Sequence, residues 1–143
     1  MNFKEQREKK AYLKLEDGSV FHGYSVGASA DIQGEVVFNT SMIGYQEIMS
    51  DPSYAGKFIV MTAPEIGCYG INHESTGGAK FAAAGLITRE ISEPSNWSSE
   101  ESLKAALVRQ NIPALAGIDT RALTHLLRDK GPQKAFLCVS GKL

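Results

Sequence analysis

Apolar residues recur along this chain with two periods, and the period changes with position. Early on the step is two. Ala11, Leu13 and Leu15 alternate with Tyr12 and Lys14, as in a strand with one covered face. Asp17-Gly18 follows, a pair suited to a turn that needs positive φ, and then the strand-like run Val20–Val26. The pattern predicts a hairpin. Glu35–Asn39, Lys57–Ala63, Ala82–Ile91, Ala114–Ile118 and Ala135–Val139 read as further strands. In Ala82–Ile91, Leu86 and Thr88 are expected to face away from Ile87 and Ile91.

Later the step lengthens to three and four. In SSEESLKAALVRQN, Ser98 and Glu101 form a capping box, each side chain placed to satisfy the other's free backbone N–H. Leu103, Ala106 and Leu107 then share one face. Another helix begins at Asp119 or Thr120, with Leu123, Leu126 and Leu127 as its buried stripe. Arg128 and Lys130 sit near its C-terminal carbonyls, where cations favour the dipole, and Gly131 ends it. Gly44–Ser50 suits a short helix, stopped by Pro52 because the residue before a proline is pushed out of the α region. Strands outnumber helices. The expectation is a mixed α/β domain, without repeats, whose helices collect on one side of the sheet structure.

Composition narrows the function classes. A chain of 143 residues suits one domain, and that size buries ~68–70% of the surface its unfolded state exposes without staples. Hydrophobic residues at 43% and a net charge of −1 give no footprint for nucleic acid or an anionic membrane. Residues 1–10, MNFKEQREKK, form a charged lead-in expected to be disordered, and 11–143 form the domain. The lead-in lacks the apolar stretch of a secretory signal, and no apolar run approaches a membrane span. Cys68 and Cys138 are too few for a disulfide framework, so a reduced, cytoplasmic chain is expected.

Candidate chemistry is sparse. Cys68 lies in Ile66-Gly67-Cys68-Tyr69-Gly70. A glutaminase nucleophile elbow needs glycines two residues before and after its cysteine, and Ile66 occupies the first place. Pro64 also argues for a loop there, so a small inert thiol is favoured over a nucleophile. His22, His73 and His125 show no metal-ligand spacing. Gly77-Gly78 is a flexible pair rather than a phosphate cradle. Glu47 and Asp51, four apart, suit a solvated helix face. The polar stretch from Asn39 to Tyr54 holds hydroxyls, amides and carboxylates but no His, Cys or Lys: groups to bind a polar ligand, and none to attack it. Within it, Asp51-Pro52-Ser53-Tyr54 presents Ser53 on a backbone stiffened by proline, although a plain turn has the same sequence.

EVVFNTSMIGYQEI at 35–48, followed by DPSY at 51–54, closely resembles the small subunit of glutamine-hydrolysing carbamoyl-phosphate synthase, in its N-terminal domain. Leu15-Glu16-Asp17-Gly18 with Phe21-His22-Gly23 is similar to that family's first hairpin. Pro64, Gly67, Gly70 and Asn72 resemble its proline- and glycine-marked loop. Ile118-Asp119-Thr120-Arg121, Leu123-Thr124, Leu127-Arg128 and Gly131 resemble its late helix. The resemblance implies a single three-layer β/β/α "swivelling" domain with a mixed sheet. It implies a complex in which the small subunit hydrolyses glutamine and ammonia passes to a large subunit. There bicarbonate and two ATP yield carbamoyl phosphate for arginine or pyrimidine synthesis.

Further implications concern sites and partners. The catalytic Cys, His and Glu would lie in a C-terminal glutaminase domain, so no catalytic residue and no metal ligand is expected in this chain. ATP and metal ions would belong to the large subunit, leaving no cofactor here. Partners would be the glutaminase domain, the large subunit and glutamine, with Ser53 as the residue lent to the glutamine site. This chain contains no G-x-C-x-G and is read as an excised domain or a naturally short chain. The alternatives are a free-standing adaptor module of the same fold, or a small thiol hydrolase using Cys68.

Overall fold

The computed structural model describes residues 10–40, 45–62, 81–90 and 103–139. Seven strands form one closed sheet: β1 (Lys10–Leu15), β2 (Val20–Ser25), β3 (Ile32–Asn39), β4 (Lys57–Met61), β5 (Gly85–Ile87), β6 (Ala114–Ala116) and β7 (Gln133–Cys138). Around the barrel the order is β1-β2-β6-β5-β4-β3-β7, with β7 returning to β1. β3, β4, β5 and β6 run parallel to their neighbours in that set, and the remaining pairings are antiparallel. Closure gives each described strand a neighbour on both sides, although β2 meets β6 only at Tyr24 and Ser25. Three α-helices accompany the barrel among the described residues: α1 (Tyr45–Ser50), α2 (Leu103–Arg109) and α3 (Thr120–Lys130).

The hairpin forms as expected. Leu13 pairs with Phe21 and Lys14 with Val20, around a turn in which Gly18 takes φ 94° and Asp17 Oδ1 accepts from the Ser19 N–H at 2.8 Å. Strand pleat then sorts the apolar residues into two cores. Leu13, Leu15, Val36, Phe58, Val60, Ile87, Leu115, Ala135 and Leu137 point into the barrel. Alternate residues of the parallel strands, including Ile59, Met61, Leu86, Ala114 and Ala116, point outward. They are covered by Met49 of α1 and by Ala106 and Leu107 of α2. This explains why FIVM, GLI and ALA are unbroken apolar runs, whereas AYLKL alternates: β4, β5 and β6 are buried on both faces and β1 on one.

One expectation needs correction. The helices do not gather on one side. α1 and α2 pack outside the barrel, but Leu123 and Leu127 of α3 join the interior core. The connection from β6 to α3 is short and turns at Gly117, whose φ is 77°. A Cβ there would lie 2.6 Å from the Tyr24 ring, so both the backbone sign and the space require glycine. The turn swings the apolar stripe of α3 against the barrel contents, beside β3 and β4. Of the two caps considered, Asp119 is the one used: its Oδ1 accepts from the Ala122 N–H at 3.0 Å. Gly131, at φ 78°, ends α3, and Lys130 Nζ lies 2.9 Å from Asp17 Oδ2 in the hairpin turn.

Boundaries moved modestly. β3 extends back to Ile32, because it pairs with β7 across Ile32–Val36 as well as with β4. The run Ala82–Ile91 yields only Gly85–Ile87, since the N–H groups of Ala82 and Ala83 bond instead to the Met49 carbonyl. β7 begins at Gln133, two residues earlier than its apolar run. Of the lead-in 1–10, Lys10 is the first residue of β1 rather than disordered. Residues 1–9, Gly44, Ala63, the capping box Ser98–Glu101, Ile91 and the loop holding Pro64, Gly67, Gly70, Asn72 and Gly77-Gly78 lie outside the described residues. No helix among the described residues is long and apolar enough to cross a membrane.

Candidate functional site

The polar stretch that follows β3 is built around the end of α1. The helix stops at Ser50, and Asp51 turns back instead of continuing it. The Asp51 carboxylate accepts the Ser53 N–H at 2.9 Å and thereby caps a single turn of 3-10 helix, Pro52–Tyr54. The Tyr54 N–H donates to the Asp51 carbonyl and the Ala55 N–H to that of Pro52. Gly56, at φ 77°, then reverses the chain into β4. Hydrogen bonds from the backbone N–H and the hydroxyl of Ser53 hold the Asp51 carboxyl below the ordinary carboxylate range. Glu47 and Asp51 are both solvent-exposed, as expected, but Asp51 lies just beyond the end of α1.

Ser53 is exposed on this turn. Its N–H is already committed to Asp51, which leaves the hydroxyl oxygen as the group to meet a ligand. Tyr54 is half-buried against the outer core, and its hydroxyl lies 3.4 Å from Asn39 Nδ2 at the far end of β3. The turn is therefore fastened at both ends: by Met49, buried in the outer core beside it, and by Tyr54 along the outside of the sheet.

The other candidates separate. His22 lies on β2, where it makes an edge-on ring contact with its cross-strand partner Tyr12, centroids 5.7 Å apart at 78°. His125 is exposed on α3. Cys138 is buried in β7. Cys68 and His73 lie outside the described residues. Among the described residues there is no group of three or more His, Cys, Asp or Glu side chains that could hold a metal.

Against this geometry, known proteins give a consistent answer. Residues 13–137 match the family "Carbamoyl-phosphate synthase small chain, CPSase domain". The chain belongs to that family. It is 52% identical over 130 residues to the carbamoyl phosphate synthase pyrimidine-specific small chain of Halalkalibacterium halodurans, covering 90% of this chain and 36% of that one. It is 50% identical over 130 residues to the carbamoyl phosphate synthase small chain of Thermotoga maritima, covering 90% and 33%. The chain thus spans about a third of the length of the curated relatives it matches. Among solved structures, an aminopeptidase from Aneurinibacillus sp. strain AM-1 superposes with a TM-score of 0.53 over 92% of this chain and 30% of its own. At 15% identity that likeness shows the fold alone.

Pattern reading passed over one further region. Thr40 and Thr62, just past β3 and β4, line a cleft of about 380 Å³ with Arg89 beyond β5 and with Thr120, Arg121, Thr124, His125 and Arg128 of α3. A signal was present in the sequence. TRALTHLLR carries threonine and arginine at helical spacing along the flank of the stripe formed by Leu123 and Leu127.

Proposed function

We propose that this domain works within the small chain of glutamine-hydrolysing carbamoyl-phosphate synthase. It supplies a rigid wall to the glutamine site, while a separate glutaminase domain supplies the nucleophile. The single observation that carries the reading is the family match over residues 13–137, within which Ser53 sits exposed on a turn held by Pro52 and Asp51. Its hydroxyl then contacts glutamine, and the polar surface around the turn packs against the glutaminase domain. The large synthetase subunit is the second partner; it holds ATP and the metal ions, and the assembly is cytoplasmic.

Strands on opposite sides of the interior core act as two β layers, and α1 with α2 forms an α layer outside the parallel strands. The closed seven-stranded sheet and the outer core at Met49, Ala106 and Leu107 support this three-layer β/β/α description.

The reading has a direct test. Incubated with glutamine, the isolated chain releases no ammonia, because binding groups without an activated thiolate form no covalent intermediate. Mixed with a matching glutaminase domain and large subunit, it enters their complex on size exclusion and supports glutamine-dependent carbamoyl phosphate synthesis. Turnover by the chain alone, abolished by Cys68→Ser, would instead establish a thiol hydrolase. Failure to associate with either partner would favour an adaptor.

A further inference from the structure

The cleft beside α3 sits at the carboxyl ends of the parallel strands. Thr40 follows β3, Thr62 follows β4, Arg89 lies two residues beyond β5, and α3 follows β6. In parallel α/β architectures this is the edge where side chains from successive connections converge on a ligand. It is the opposite end of the strands from Ser53, which comes just before β4 begins.

The lining has one sign of charge. Arg89, Arg121 and Arg128 contribute guanidinium groups, and no carboxylate is among the lining residues described. Among the described residues none of these arginines forms an ion pair with Asp or Glu. Glu90 and Asp129 adjoin Arg89 and Arg128 in sequence but are not among the lining residues, and Asp119, two residues before Arg121, is occupied as the cap of α3. Arg128 is held over the ring of Phe38, 5.5 Å from its centroid, which fixes its direction without neutralising it. Hydroxyl-bearing residues surround the same space: Thr40, Thr62, Thr120 and Thr124.

A second, independent observation points to a missing ligand. Thr124 lines the cleft and is only 7% exposed. Its Oγ1 is buried, yet among the described residues it has no hydrogen-bond partner. A valine would fill the same volume without the unsatisfied hydroxyl, so packing alone does not account for threonine here.

We propose that this cleft binds a phosphate-type oxyanion. Forked guanidinium groups match its oxygens two at a time, a dianion balances several of the unpaired charges, and the Thr124 hydroxyl donates to an oxygen that closes its hydrogen-bonding deficit. A monoanionic carboxylate leaves most of that charge unbalanced and offers fewer acceptor atoms.

The test titrates inorganic phosphate, pyrophosphate and acetate into the full chain at constant ionic strength, with chloride as the balancing anion, by calorimetry and amide NMR. The expected result is saturable binding of phosphate and pyrophosphate, weak or absent binding of acetate, and shifts centred on Arg121 and Thr124. Arg121→Gln, at an exposed position, weakens phosphate binding roughly tenfold. Thr124→Val weakens it roughly fivefold, yet without phosphate the variant melts no lower than the parent chain. A purely structural Thr124 gives a lower melting temperature and unchanged affinity, which overturns the assignment. So does phosphate binding that is absent or unsaturable in the parent chain, or as tight in both variants as in the parent.

Discussion

Removing one hydroxyl, by Ser53→Ala, tests the proposed glutamine role without disturbing the fold. The residue is exposed, and the bond that shapes its turn runs from its backbone N–H to Asp51 at 2.9 Å, which alanine retains. Stability should therefore change by no more than about 0.5 kcal/mol, the usual range for a surface substitution away from special features. The hydroxyl is not used by the backbone of the turn, and it can both donate and accept. Toward glutamine it makes one neutral hydrogen bond in the proposed role. A hydrogen bond of that kind contributes ~0.5–1.5 kcal/mol, somewhat more if the donor is charged.

Lost equally from ground state and transition state, it raises KM for glutamine roughly three- to tenfold and leaves kcat nearly unchanged. The assay is steady-state carbamoyl phosphate synthesis by the complete small chain with its large subunit, run with glutamine and again with external ammonia. Ammonia bypasses the glutamine site, so that rate should be untouched. Equal losses with both nitrogen sources would mean that Ser53 supports the fold or the subunit interface, and the binding role would be abandoned.

Other outcomes follow from the barrel. Gly85→Ala places a Cβ 2.9 Å from Cδ1 of the fully buried Phe58 and should cost about 1–3 kcal/mol; Phe58→Leu relieves part of that clash, so a double-mutant cycle in urea should give less than the sum of the single losses, and strict additivity would refute the packing argument. Asp119→Ala removes the cap of α3 and should lower stability by about 0.5–2 kcal/mol, with Asp119→Asn recovering most of the loss in thermal melts. The Asp17 carboxyl is held down to about 2, mainly by Lys130 and then by Ser19, against an ordinary value of 3.8. Its depressed folded-state value means its stabilisation is complete above the ordinary value and lost as pH falls toward about 2; Asp17→Asn should flatten that part of a urea-midpoint profile.

Strand and helix types were legible because local patterns report them. The alternation of Ala11, Leu13 and Leu15, the Asp17-Gly18 turn and the leucine stripe of α3 all depend on near neighbours, and each appears where its period placed it. The turn at Ser53 was legible for the same reason, since Asp before Pro acts within a few residues. Family membership was legible too, because long specific stretches such as EVVFNTSMIGYQEI carry it.

Closure was not legible. Whether β7 pairs with both β1 and β3, joining the ends of the sheet, is set by contacts more than a hundred residues apart, such as Leu13 with Leu137. Glycine spacing shows the same limit. Gly34 and Gly85 look like weak strand residues until Phe58 is seen filling the room their missing side chains leave on neighbouring strands. The cleft is the strongest case. Thr40, Thr62, Arg89 and Arg121 are scattered along the sequence and each reads as a solvated polar residue. Only parallel pairing, which brings the ends of β3, β4 and β5 together in register, and the turn at Gly117, which lays α3 beside them, turn four unrelated positions into one positively charged surface. Local sequence sets what a segment can become, but convergence of charge depends on distances that folding alone creates.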